Sequence, residues 1–193
     1  MAADVITILG IAGSLRKESW NKGALRAAQA LCPEGARIQL CDIAGLPHFN
    51  QDEEKNPNPA VAEFKKAIRA ADAILFSTPE YNYSIPGVLK NAIDVASRPY
   101  GDNAWNAKPC ALMSAALSMG GGVRAQYHLR QSFVFLNLDA VLQPEVAIGN
   151  GTQRFDAQGN LTDETSKKLI AQLLQNLTAK VRLSRQQPMR AAA

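Results

Sequence analysis

The sequence predicts an α/β protein built on a parallel sheet, and three observations carry that prediction. Short apolar or alternating runs recur along the chain, each long enough for a strand and too short for a helix. Between them lie stretches whose apolar residues repeat at three- and four-residue spacing, as on the buried face of a helix. The two kinds of stretch alternate, which is the pattern of strands joined by crossover helices.

The elements follow in order. Val5 to Leu9 reads as a central strand, and a helix begins near Ser19 to Asn21 with Ala24, Leu25, Ala28 and Leu31 on its apolar face. Ala36 to Cys41 alternates apolar and polar residues, as a strand nearer the sheet edge does. Leu46 to Pro59 is a long connection, of a length more often functional than structural. Ala60 to Ala71 aligns Val61, Phe64 and Ile68 as a helix, and Ala73 to Phe76 has the composition of a buried strand. Pro86 suits a first helical position, with Val88, Leu89, Ala92, Ile93 and Ala96 following at helical spacing. Pro109 to Met113 reads as a fourth strand and Val123 to Asn137 as a helix burying Leu129, Phe133 and Leu136. Val141 to Ile148 reads as a fifth strand, Asn150 to Gly159 as a turn-rich loop and Asp163 to Leu183 as the last helix. Residues 1–184 then form a single domain, with Arg185 to Ala193 a frayed tail.

Composition narrows the function. The chain has 193 residues, a formal charge of +4, three cysteines and two histidines. An odd cysteine count without Cys-x-x-Cys spacing points to reduced thiols in a cytoplasmic protein, and two histidines offer little for a metal. Lys and Arg are scattered rather than clustered, which argues against nucleic acid, and no run reaches membrane-spanning length. A mildly basic surface instead favours small anionic substrates.

Two loops carry the chemistry. Gly10 to Asn21 joins a strand to a helix N-terminus, the arrangement that binds phosphate through unpaired N–H groups and the helix dipole. No Gly-x-Gly-x-x-Gly or Gly-Lys-Ser/Thr fingerprint is present. The hydroxyls of Ser14 and Ser19, the amide of Asn21 and the guanidinium of Arg16 suit a terminal phosphate instead. Pro79 to Ser84 is a second strand-to-helix loop, whose tyrosines, asparagine and backbone N–H groups suit the edge and face of a flat heteroaromatic ring. Each loop alone has a plainer explanation, a helix cap at Ser19 or tyrosines packed on a neighbour. In a flavodoxin-like doubly wound sheet, order 2-1-3-4-5 with helices on both faces, the loops after strands one and three become neighbours at the switch point. A ligand with phosphate at one end and a flat ring at the other is FMN.

Both loops resemble the NADPH-dependent FMN reductase family, and within it the bacterial quinone and chromate reductases. The match runs through Gly13-Ser14-Leu15-Arg16-Lys17-x-Ser19-x-Asn21 and Pro79-Glu80-Tyr81-Asn82-Tyr83-Ser84-Ile85-Pro86-Gly87-Val88-Leu89-Lys90-Asn91-Ala92-Ile93-Asp94. It continues through Ser97-Arg98-Pro99 and Gly121 to Arg130, covering roughly residues 5–150. The resemblance implies non-covalent FMN held by Ser14, Arg16, Ser19, Trp20, Asn21, Pro79, Glu80, Tyr81, Asn82, Tyr83 and Ala116. It implies NADPH or NADH as donor, quinones, chromate or similar small molecules as acceptors, and no catalytic His or Cys. Asn50 and Arg98 are candidates for the donor or acceptor. It also implies a homodimer or homotetramer, with the helix from Pro86 to Ser97 near an interface and the partner's His48 to Glu54 segment bordering the site. The family commonly carries Ser-x-Gly where this chain has Ala116-Leu117-Ser118, leaving a backbone contact from Ala116, and many relatives place Trp at the position of Val95.

Rival readings are a flavodoxin-like electron carrier, a flavin-binding module without turnover, and a serine hydrolase. The basic balance argues against the first, and the lack of a Gly-x-Ser-x-Gly elbow against the last.

Overall fold

The computed structural model describes residues 5–186. Strands β1 (Ile6–Ala12), β2 (Ala36–Cys41), β3 (Ala73–Thr78), β4 (Pro109–Ala115) and β5 (Asp139–Ala140) form a parallel sheet in the order β2-β1-β3-β4-β5. The helices between them are α1 (Trp20–Ala30), α2 (Pro59–Ala70), α3 (Gly87–Ser97) and α4 (Val123–Leu136). The chain then continues through β6 (Val146–Ile148), the short helix α5 (Gly151–Arg154) and the long helix α6 (Glu164–Gln186). Arg185 and Gln186 thus close a helix, while the rest of the expected tail lies outside the described residues.

Alternation along the strands sorts the core into two layers, because successive side chains point to opposite faces of a sheet. In β3, Ile74 and Phe76 join Leu9, Ile11, Leu112, Phe64, Leu89, Ile93 and Phe133 beneath α2, α3 and α4. Ala73 and Leu75 join Ile8, Leu25, Met113, Leu173, Leu174 and Leu177 beneath α1 and α6. β3 and β4 are buried at every position, as expected for central strands covered on both faces. Trp105 is fully buried in the first layer, packs edge-on to Phe64 and donates its indole N–H to the Ile93 carbonyl at 3.0 Å.

The fifth strand departs from the sequence reading. Instead of one strand from Val141 to Ile148, the chain pairs with β4 twice: Asp139–Ala140 beside Pro109 and Cys110, then Val146–Ile148 beside Met113 to Ala115. The chain leaves the ladder between them, where Pro144 has no N–H to contribute and Leu142 points to solvent. Pro86 also sits one position earlier than expected, as the N-cap of α3 rather than its first residue.

Candidate cofactor site

Three loops leave the carboxyl ends of adjacent strands. Register pairs Ala12 with Ser77 and Thr78 with Ser114, so the loops after β1, β3 and β4 emerge side by side. The first and second meet closely: a Cβ on Gly13 would fall 3.0 Å from Thr78 Oγ1 and 3.3 Å from Pro79 Cδ. The Gly13 N–H also donates to the Ser77 carbonyl at 2.8 Å.

The first loop ends at Ser19, the N-cap of α1, whose hydroxyl accepts from the Asn21 N–H at 3.2 Å. Ser14 is buried, yet its hydroxyl takes no partner among the described residues, and neither do the backbone N–H groups of Leu15 and Arg16. Arg16 is exposed and carries no ion pair among the described residues; its guanidinium lies 5.9 Å from the Trp20 ring, which stacks in turn on Phe155 at 5.8 Å. Free donors, a free cation and a helix N-terminus therefore coincide at one point.

Asn21 has a different task from the one its residue type suggested. It is 2% exposed, and its side chain donates to the Ala115 carbonyl and accepts from the Ala115 N–H, both at 2.9 Å. The same oxygen accepts from the Ser77 hydroxyl at 3.0 Å. The amide offered to a phosphate is therefore engaged in bracing the start of α1 against the ends of β3 and β4.

The second loop is a tight hairpin. Tyr81 and Ser84 exchange backbone hydrogen bonds of 2.9 and 3.0 Å, and the two residues between them, Asn82 and Tyr83, have φ of 50° and 67°. Pro79 has no N–H and that of Tyr81 is used in the turn, so the donors left for a ring are on Glu80, Asn82 and Tyr83. The Glu80 side chain faces the N-terminus of α4. Its carboxylate accepts from Arg124 Nε at 2.6 Å and from the Ala125 N–H at 3.4 Å. Burial alone would raise the Glu80 pKa, but the hydrogen bonds from Arg124 and Ala125 outweigh it and hold the carboxyl below its usual range. Tyr81 and Tyr83 stay exposed.

In the third loop, both backbone groups of Ala116 are occupied: its N–H donates to Ile148 and its carbonyl accepts from Gly151. The backbone contact expected from Ala116 thus has no free donor. Asn50 and Arg98 are brought together, but elsewhere. They line a cavity of about 320 Å³ between the 46–58 connection, α2 and the end of α3, and none of its lining residues comes from the three loops. Arg98 pairs with Glu54 at 2.6 Å and stacks on Tyr100, while Asn50 caps the short turn Gln51–Glu53. The sequence reading missed the brace from Asn21 to Ser77 and the Glu80–Arg124 pair. Asn21 lies three and four residues before Ala24 and Leu25, which marks it as inward-facing; nothing local joins Glu80 to a residue 44 positions away.

A parallel 2-1-3-4-5 sheet with its open loops gathered at the β1/β3 switch point defines the flavodoxin-like class of α/β proteins. Residues 6–153 match the family described as NADPH-dependent FMN reductase, and the chain belongs to that family. It is 50% identical over 181 residues to an NAD(P)H-dependent FMN reductase of Pseudomonas aeruginosa, covering 93% of this chain and 97% of that protein. It is 44% identical over 170 residues to a quinone reductase of Pseudomonas putida, covering 88% and 91%. Among solved structures it is similar to the flavoenzyme NAD(P)H:(acceptor) oxidoreductase FerB of Paracoccus denitrificans, with a TM-score of 0.85, 34% identity and coverage of 93% and 98%.

Proposed function

We propose that this protein is an FMN-dependent NAD(P)H oxidoreductase that passes two electrons to quinones. The observation that carries the reading is the convergence of an anion-ready helix N-terminus and a ring-sized hairpin at one switch point, in a chain of the FMN reductase family. The donor set fits the cofactor. Ser14, Arg16 and the α1 N-terminus offer unpartnered donors to a dianionic phosphate, and the N–H groups of Glu80, Asn82 and Tyr83 suit the polar edge of a flavin ring.

When bound, FMN would supply the chemistry, taking hydride from the nicotinamide and returning two electrons to an acceptor. The chain supplies position. Arg16 and Ser14 would fix the phosphate, Ser19 starts the helix at the correct point, and Asn21 holds that start against the sheet. Cys110 is buried with its thiol pushed up to about 12, so it is not poised for nucleophile chemistry. Relatives named for quinones put a quinone first among the acceptors, with chromate as a second to assay.

The test is flavin identity and turnover. The protein purifies yellow, releases FMN rather than FAD on denaturation, and oxidises NADPH or NADH in steady state when a benzoquinone is supplied. Release of FAD, or bound FMN without nicotinamide oxidation, would contradict it; the second result is what an electron carrier would give.

The same reading includes a symmetric dimer or tetramer. Phe135 near the end of α4 is 80% exposed and Tyr100 is 78% exposed, and the two share a surface with Asp94 and Ser97 of α3, which supports a second copy there. In that assembly the partner's 48–54 segment borders the flavin. Among the described residues no helix is long and apolar enough to cross a membrane. The three free cysteines support a cytoplasmic location.

A further inference from the structure

The 79–84 hairpin holds Tyr83 in a conformation that a tyrosine disfavours. Asn82 and Tyr83 both occupy the left-handed region, where a two-residue hairpin usually places Asn-Gly or Gly-Gly. A tyrosine at φ of 67° carries strain that the surroundings must offset. Those surroundings are all on α4. The Arg124 guanidinium lies 3.6 Å from the centre of the Tyr83 ring, close enough for a stacked cation–π contact. The opposite side of the same loop, through the Glu80 carboxylate, accepts from Arg124 Nε at 2.6 Å. Ser84 closes the loop with His128 Nδ1 at 3.0 Å.

α4 itself depends on this contact. Its N-cap is Gly122 at φ of 86°, which has no side chain to satisfy the first helical N–H groups. A Cβ there would fall 3.1 Å from Ser114 Cβ and 3.7 Å from Glu80 Cβ, so the position is crowded as well as left-handed. The Glu80 carboxylate, 8% exposed, supplies the missing acceptor from another loop by reaching the Ala125 N–H, and places its charge at the positive end of the helix.

We propose that the side chains of Glu80 and Arg124 form a clamp that positions the Asn82–Tyr83 turn for the cofactor ring, with the Glu80 carboxylate positioning the loop while its backbone N–H is left for the ring. Arg124 is held by Glu80 and in turn holds Tyr83, so the loss of either side chain releases the Tyr83 contact. The inference rests on the FMN reading above and deepens it.

The experiment is FMN titration of the deflavinated full-length protein, followed by flavin fluorescence, for wild type, Glu80→Ala, Arg124→Ala and the double variant. Each single variant is expected to bind FMN about tenfold more weakly, and the double variant about tenfold as well, because one coupled unit is lost in every case. Arg124→Lys does not rescue, since an ammonium neither stacks flat on Tyr83 nor reproduces the guanidinium fork. At saturating FMN the visible flavin band of the single variants shifts, which a clamp that merely stabilises α4 would leave unchanged. Should Glu80→Ala fail to fold, Glu80→Gln keeps the shape while losing the charge, and the same tenfold loss is expected. Wild-type affinity in the single variants, or single losses that multiply to about a hundredfold in the double, overturns the clamp. Failure of wild type to bind FMN overturns the cofactor reading instead.

Discussion

The loop between β1 and α1 and the hairpin at 79–84 reach the same switch point but are held there by different physics. The first is tied down by neutral, fully buried hydrogen bonds: Asn21 to both backbone groups of Ala115 and to Ser77, at 2% and 0% exposure for Asn21 and Ser77. The second projects from the surface, with Tyr83 66% exposed, and is held by an ion pair, a stacked guanidinium and one hydroxyl contact. Buried neutral networks are expensive to break and insensitive to salt and pH, whereas partly exposed charge pairs are weaker and respond to both. The loop after β1 is therefore part of the fold, and the 79–84 hairpin is an adjustable attachment to it.

The largest expected effect breaks the first region. Asn21→Ala strands the Ala115 N–H and carbonyl in the interior and should lower unfolding stability by roughly 3 kcal/mol, read as a shifted denaturant midpoint with an unchanged slope. A loss below about 1 kcal/mol would mean that water replaces the brace.

Arg16→Ala sharpens the contrast within that loop. Arg16 is exposed and carries no ion pair among the described residues, so its loss should leave the stability of the flavin-free protein nearly unchanged. FMN affinity should fall by about ten- to a hundredfold, the cost of a charge-assisted phosphate contact. Calorimetric titration separates the two readouts, and equal affinity in the variant would place the phosphate away from Arg16.

The hairpin should respond to acid. Because the folded-state pKa of Glu80 is depressed, its stabilising contribution is fully present above the ordinary carboxylate value of about 4.3 and is lost as pH falls through the lower folded value. Stability measured between neutral pH and about pH 3 should therefore decline less steeply in Glu80→Gln than in wild type. Identical slopes would show that Arg124 does not stabilise the carboxylate.

The smallest effect concerns Cys110. With its thiol pushed up to about 12 by burial, it should resist iodoacetamide at pH 8 in the native protein and react only after unfolding. Rapid native-state labelling would show that β4 opens far more readily than its burial implies.

How much of this was legible in the sequence follows the same division. Strands β1 to β4 and the sheet order could be read because apolar runs, helical spacing and alternation are local signals of burial. The last strand was expected to be continuous although Gln143-Pro144-Glu145 interrupts its apolar run; Pro144 cannot donate to the ladder, and the pairing with β4 splits into two short segments. At the site, residue types singled out loops that the fold brings side by side, but not the direction in which each side chain faces. Asn21 turned inward with the apolar face of α1, Glu80 turned to α4, and Ala116 has its backbone groups engaged by Ile148 and Gly151. The hairpin at Asn82-Tyr83 lacks the glycine that usually announces such a turn, and its conformation is imposed by tertiary contacts with a helix 40 residues further on.

A crystal structure of the FMN-loaded protein tests whether one ligand spans both regions. The FMN phosphate is expected within hydrogen-bond distance of Ser14, Arg16 and the start of α1, with the ring edge against the N–H groups of Glu80, Asn82 and Tyr83. A flavin bound instead in the cavity lined by Asn50 and Arg98, or with its phosphate away from the first loop, would contradict it.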